Sequence, residues 1–345
     1  MNEPLSPFNE RLSGVAGSAN VAGKTNESLL SVGEELSDVD ESVAANYAVD
    51  ESSSLTEKFA NEECRLGANA ESVSQTRETS SQMVPDPSTP GAYLVRVNNI
   101  DQSWVSAAHP ERLEFDYMQL IGNHIDAHAP AGERLRVVHV GGAGMSLARY
   151  VAASRPTSAQ IVLEPDATLT ALVRSIVPLP RNSGIKVRAI DGLEGVAAMP
   201  NDYADIVILD AFAAGQVPAE LVTTEYFVNI SRILRSNGVL LTNLVDDQQL
   251  KWVRRVLAGM AQVFSYVCLQ AEPAILKGRR FGNMIAGASL TELPLGELSR
   301  RIRSAAFPHT LLWGETLRHF VGNALPFSVN DAAPSPSCQN WPTWI

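Results

Sequence analysis

Cysteine is scarce. The three present, Cys64, Cys268 and Cys338, lie far apart, which excludes a disulfide framework and the paired spacing of a structural zinc site. Reduced thiols in a cytoplasmic protein are the expectation. Basic charge is short too, with 27 Lys and Arg against 38 Asp and Glu. No segment has the cationic excess of a nucleic-acid-binding surface, and no apolar run approaches the ~20 residues that cross a bilayer. The first residues include Glu3 and Glu10 and no apolar stretch, so no secretory leader is expected. The six histidines follow no metal-ligand spacing. His124 and His128 stand four apart on a predicted helix without a third ligand, which fits a solvated face better than a metal site. No nucleophile elbow of the Ser-His-Asp hydrolases is present.

The charge that is present is unevenly placed. Up to residue 90 there are 5 basic and 16 acidic residues, a net of −11, the same as the whole chain. The remainder is neutral. Residues 1–88 are rich in Ser, Glu, Asn and Ala, with Phe8, Tyr47 and Phe59 as their only aromatics. Such a segment cannot bury enough apolar surface to offset its ordering entropy, so a disordered acidic tail is expected. The stretch "VPDPSTPG" (Val84 to Gly91) marks its end.

Residues 89–130 predict a hairpin, "AYLVRVNN" and "SWVSA" around "NID", followed by a helix within Glu111 to Ala129. Strand and helix patterns then alternate over 131–325. The strands are "RLRVVHV", "AQIVLEP", "IKVRAID", "ADIVILDAF" and "GVLLTNLV"; the helices are Ser146 to Ser154, Asp166 to Val177, Thr224 to Leu234 and Gln248 to Ala261. Near-continuous apolar strands between helices predict a parallel sheet covered on both faces. The last two strands, "FSYVCLQA" and "FGNMIAGAS", have no convincing helix between them, which predicts one antiparallel edge strand. The expected fold is α/β: a Rossmann-like, doubly wound sheet of the class I S-adenosylmethionine-dependent methyltransferase type with an antiparallel terminal strand. Residues 326–345 are expected to be irregular, with the tryptophans of "NWPTWI" packed on the body.

Four strand ends carry candidate chemistry. "VVHVGGAGMSL" (Val137 to Leu147) is a glycine-rich turn from strand into helix. Gly141, Gly142 and Gly144 allow close backbone approach, and the helix start offers free N–H groups. The nicotinamide fingerprint needs a third glycine where Leu147 stands, which argues against an oxidoreductase. Glu164, ending the second strand, can accept both ribose hydroxyls. Asp191, with Gly192 after it, can accept the adenine amino group; the alternative is a simple helix cap. Asp210 ends the fourth strand facing the cleft and can serve as a general base; the alternative is that it binds backbone N–H groups of its own loop. The three sites at three successive strand ends together point to an adenosine-bearing ligand.

These residues resemble those of the spermidine synthases, or polyamine aminopropyltransferases, and more closely their actinobacterial spermidine synthase-like relatives. "NIDQS" is similar to that family's Leu-Asp-Gly-x-x-Gln element, "LEFDYMQLI" to its Glu-Phe-x-Tyr-x-Glu-Met helix and "HVGGAGMSL" to Gly-Gly-Gly-Asp-Gly. "LDAFAAGQVP" is similar to its Asp-x-x-Asp-Pro loop, and "GRRFGN" lies at its Gly-x-x-Gly position. The resemblance implies that Gln102 contacts the cofactor, that Tyr117 and Gln119 face the substrate and that Asp210 is the base. It also implies a role in polyamine biosynthesis. The family's acids fall on Gly144, Ala213 and Gln119. A diamine needs negative partners in a partly desolvated site, so the amine half is depleted while the adenosine half is complete.

The expected activity is therefore transfer from an S-adenosyl-type cofactor, either decarboxylated S-adenosylmethionine with an amine acceptor or S-adenosylmethionine in a methyltransferase. A non-catalytic nucleoside-binding relative is the third reading. The expected partner is a small molecule, with no nucleic acid, membrane or metal; a homodimer stands as an open alternative to a monomer.

Overall fold

The computed structural model describes residues 80–304 and 308–337. The expected acidic tail thus lies almost wholly outside the described residues, as do Trp341 and Trp344. Regular structure is already present at the start of the proline-rich stretch, where β1 (Ser81–Pro85) is a strand. It pairs antiparallel with β2 (Ala92–Val97), which pairs with β3 (Ile100–Ser106). Pro85 ends its strand and Pro87 and Pro90 fall in the turn beyond it, so the prolines connect two strands and do not separate tail from body. The β2–β3 turn is Asn98–Asn99, both at positive φ, as a two-residue hairpin turn requires. Ile100 and Asp101 belong to the strand.

The chain continues through α1 (Asp116–His128), β4 (Arg136–Val140), α2 (Ser146–Ser154), β5 (Ala159–Leu163), α3 (Ala167–Ile176), β6 (Ile185–Arg188), α4 (Gly192–Ala197) and β7 (Ala204–Leu209). Then follow α5 (Thr224–Ile233), β8 (Leu234–Val245), α6 (Lys251–Val263), β9 (Tyr266–Ala271), a single turn α7 (Pro273–Leu276) and β10 (Asn283–Ser289). Last come α8 (Leu295–Ser304), β11 (Thr310–Trp313) and α9 (Gly314–Val321).

The large sheet has the order β11-β9-β10-β8-β7-β4-β5-β6. Strands β6, β5, β4, β7 and β8 are parallel, while β10 runs antiparallel to both β8 and β9. This is the class I methyltransferase-like arrangement. Two strands run against the others and not one: β10 inserts between β8 and β9, and β11 pairs antiparallel with β9 at the sheet edge. The elements after Ser289 are short or carry few apolar residues (α8 is mostly charged and polar and buries only Leu298), so the sequence does not predict them.

Alternation along the strands sorts the core. Val138, Val140, Val207, Leu209 and Leu240 face α5 and α6. Val137, Ile206, Ile208 and Leu241 face α1 and α2. A third cluster joins Val95 and Val105 of the small sheet to Met145 and Ala148 of the α2 start and to Leu169 and Val173 of α3. The small sheet is thereby seated over the glycine-rich turn. Helix starts are set by short polar caps: Asp166 for α3, Asp191 for α4 and Thr223 for α5. Among the described residues no helix is long and apolar enough to cross a membrane. Residues 326–337 have no regular secondary structure, yet Phe327 and Ser335 are buried.

Candidate active site

The C-terminal ends of β4 and β7 meet the small sheet and α1 around an open cleft. Gln102, Tyr117, Gly141, Gly142 and Asp210 all line it, although they come from four separate parts of the chain.

The glycine-rich turn forms one wall. A side chain on Gly141, at φ +87°, would come 2.3 Å from the Asp210 carbonyl oxygen; the backbones of the two strand ends therefore pack directly together. Gly144 is closed on the other side. A Cβ there would stand 2.7 Å from both Ser103 Oγ and Val105 Cγ1, and its N–H donates to Ser103 Oγ at 3.0 Å. Any side chain at this position would have to displace Ser103 or Val105.

Glu164 reaches back across the turn. Its Oε2 accepts from the N–H groups of Gly142 and Ala143 at 2.9 and 3.0 Å, and its Oε1 from Asp166 N–H at 3.0 Å. It also borders a shallow groove between α3 and β6 with Thr170, Arg174 and Val187. Asp191 caps α4 through Oδ1, accepting from Glu194 N–H at 2.8 Å, and Gly192 opens that helix against Val140. The cap geometry is the plainer alternative for Asp191; its second oxygen is not used by the cap.

Asp210 sits on the cleft floor. Asn243 Nδ2 donates to its Oδ1 at 2.9 Å, and the Tyr117 hydroxyl lies 3.4 Å from its Oδ2. Burial pushes its carboxyl up to about 6, against the pull of those two donors. Burial and the Asp210 charge hold the Tyr117 phenol well above its ordinary range, so it stays a protonated donor. His139, below the turn, is neutral; burial lowers it to about 4, and its Nε2 pairs with Gln160.

Gly144, Glu164, Asp191, Gly192 and Gln119 are not among the residues that line this cleft. Gln119 lies on the exposed face of α1, where its amide donates to the Leu113 carbonyl at 2.9 Å; it is two positions from Tyr117, about 200° around the helix. His124 is not on a solvated face but buried against Gln270, and it is lowered to about 4 by burial. Two residues of the site were missed. Ser103 is the neighbour of Gln102, and Asn243 is a polar residue inside the apolar run "GVLLTNLV". A buried polar residue in such a run is the signal that points to it.

No family model matches the chain. Over 160 residues it is 22% identical to the polyamine aminopropyltransferases of Neisseria meningitidis serogroups A and B. That match covers 46% of this chain and 60% of theirs, so it leaves a large part of those relatives without a counterpart. A solved structure, "a probable spermidine synthase from Corynebacterium glutamicum", is 30% identical. It superposes with a TM-score of 0.67, covering 73% of this chain and 94% of that one. The chain belongs to the spermidine synthase-like family. Among the described residues of this spermidine synthase-like protein, no group of three His, Cys, Asp or Glu side chains is placed to hold a metal ion.

Proposed function

We propose that this spermidine synthase-like protein is a transferase that uses an S-adenosyl-type donor, with Asp210 as its general base. The observation that carries this is the Asp210 carboxylate, held between Tyr117 and Asn243 beside Gly141 and raised to about 6. A base with a pKa near the working pH combines the right protonation state with real driving force for proton transfer.

The donor set fits the adenosyl part. Each carboxylate oxygen has two lone pairs, so Glu164 can accept ribose hydroxyls beyond its three backbone N–H partners. The free oxygen of Asp191 suits the adenine amino group. Gly141 and Gly142 let the ligand approach the backbone, and Gln102 borders the same space. When bound, the donor supplies an alkyl group activated by a positively charged sulfur. The chain's own task is to hold the acceptor in line with that group. Asp210 Oδ2 takes the proton from the acceptor, and Tyr117 and Asn243 keep the carboxylate aimed.

Aminopropyl transfer from decarboxylated S-adenosylmethionine to an amine is the first reading, because Asp210, Tyr117, Gln102 and the glycine-rich turn follow the family pattern. Methyl transfer from S-adenosylmethionine is the second. It is favoured by the closed space at Gly144, which leaves the cleft without an acid at that point for a cationic donor tail.

The test is incubation of the protein with each donor and a panel of amines, measuring release of methylthioadenosine or S-adenosylhomocysteine. Methylthioadenosine release supports the first reading and S-adenosylhomocysteine the second. Thermal stabilisation without either product would indicate a nucleoside-binding relative. No stabilisation by donors or products would overturn the adenosine reading itself.

A further inference from the structure

The loop after Asp210 is fastened from an unexpected direction. Ala213 and Gln216 exchange both backbone hydrogen bonds, at 2.8 and 3.0 Å, around Ala214 and Gly215, both at positive φ. This is a tight two-residue hairpin turn. Just before it, Phe212 lines the cleft. Just after it, Gln216 and Val217 meet Ser335, 118 residues further along the chain. Val217 N–H donates to Ser335 Oγ at 2.9 Å, Ser335 N–H donates to the Val217 carbonyl at 3.1 Å, and the Gln216 amide donates to the Ser335 carbonyl. Ser335 is completely buried.

The segment that delivers Ser335 is itself anchored along its length. Arg255 of α6 donates to the carbonyls of Leu325 and Pro326, pairs with Asp331 and stacks 3.9 Å over the Phe327 ring. Thr224, at the start of α5, donates to the Phe327 carbonyl through both N–H and Oγ1. Trp252 Nε1 donates to the Ala333 carbonyl at 2.8 Å. Residues 325–337 therefore form a strap across α5 and α6 that ends on the active-site loop.

We infer that Ser335 is a positioning residue: the strap holds the 213–216 hairpin, and with it Phe212, as a preformed wall for the acceptor. The hairpin alone cannot do this. Ala213 and Ala214 are exposed and contribute no large side chain to the core. The loop is held at Asp210, packed on Gly141, at Ala211 and Phe212, which pack on the core, at the buried Gly215, and at Val217, held by Ser335. Weakening the Ser335 point loosens the far end of the wall, away from the bonds that Glu164 makes with the glycine-rich turn. The acceptor role rests on the transfer reading given above; the fastening of the loop does not.

Two full-length variants test this, Ser335→Ala and Gln216→Ala. Hydrogen exchange is followed across the chain, with methylthioadenosine affinity and steady-state kinetics on putrescine and decarboxylated S-adenosylmethionine. In Ser335→Ala, amides of residues 213–217 are expected to exchange on the order of tenfold faster, with β4 and β7 unchanged, since one buried bond is lost locally. Gln216→Ala is expected to show a smaller effect at the same amides. Methylthioadenosine affinity should stay within about twofold, as sites without shared partners are independent, while KM for putrescine rises more than kcat falls. Unchanged exchange at 213–217, or acceleration spread over the whole domain, overturns the fastening. A looser loop with unchanged KM overturns the acceptor-wall role. If the unmodified protein turns over no putrescine, that role falls with the transfer reading, and exchange alone decides whether Ser335 holds the loop.

Discussion

Asn243 Nδ2 donates to Asp210 Oδ1 at 2.9 Å, while Asn243 Oδ1, buried in β8, has no partner of its own. One amide thus supports the proposed base and carries an unsatisfied acceptor. Replacing it by Leu removes both. The lost donor should raise the Asp210 pKa further and move the rising limb of the pH–rate profile to higher pH, lowering turnover at pH 7. The fold should lose little stability, because the unpaired acceptor goes as well. Pairing pH–rate profiles with urea denaturation checks this; a large stability loss with an unmoved profile would contradict it.

Asp210→Asn is expected to abolish turnover and to stabilise the fold near pH 7. The Asp210 pKa is raised in the folded state to about 6 from 3.8, so ionisation at neutral pH costs folding free energy, roughly 3 kcal/mol. That cost vanishes as pH falls below about 4, where both states are protonated. Asp246, also raised to about 6 by burial, acts in the same direction. His124 and His139, both lowered to about 4, act oppositely: stability present above about 6.5 is lost as pH falls towards 4. Between pH 6 and 4 the carboxyls and imidazoles offset each other. Melting curves from pH 4 to 8 should therefore fall more steeply on acidification for Asp210→Asn than for the unmodified protein.

Glu164→Ala should remove methylthioadenosine binding and also loosen the glycine-rich turn, since three backbone N–H groups lose their acceptor. A destabilisation of about 1–3 kcal/mol is expected. Calorimetric titration with the nucleoside, beside denaturant melts, separates the two effects. Full affinity in a destabilised variant would mean that the carboxylate serves the turn alone.

Gly144→Asp, which would add an acid beside the cleft, should not create a diamine site. The new Cβ meets Ser103 and Val105 at 2.7 Å, an overpacking of about 1–3 kcal/mol. A lowered melting temperature without putrescine binding is the expected result; tight putrescine binding would show that the small sheet yields.

The strand–helix alternation was legible because parallel strands buried on both faces need long apolar runs, as in "ADIVILD". The helices between them carry a clear apolar stripe and short polar caps. Glu164 and Asp210 were legible because each is the first charged residue after such a run, and Asp191 because it stands with Gly192 between a strand and a helix start. Gln119 was misplaced because a two-residue step on a helix turns the side chain away from its neighbour's face. The first strand was missed because prolines at 85, 87 and 90 mark both an end of order and a turn between strands.

The sequence by itself determined the strands from β2 to β10, which way their ends point and which acids stand at those ends, since these follow from local hydrophobic period and from the chemistry of a strand terminus. Only the tertiary structure decided that Gly144 is hemmed in by Ser103 and Val105, that Asn243 supports Asp210 and that Ser335 fastens the loop beyond it. Those contacts join residues 33 to 118 positions apart. Such pairings depend on how strands and strap pack against one another, and no local period encodes them.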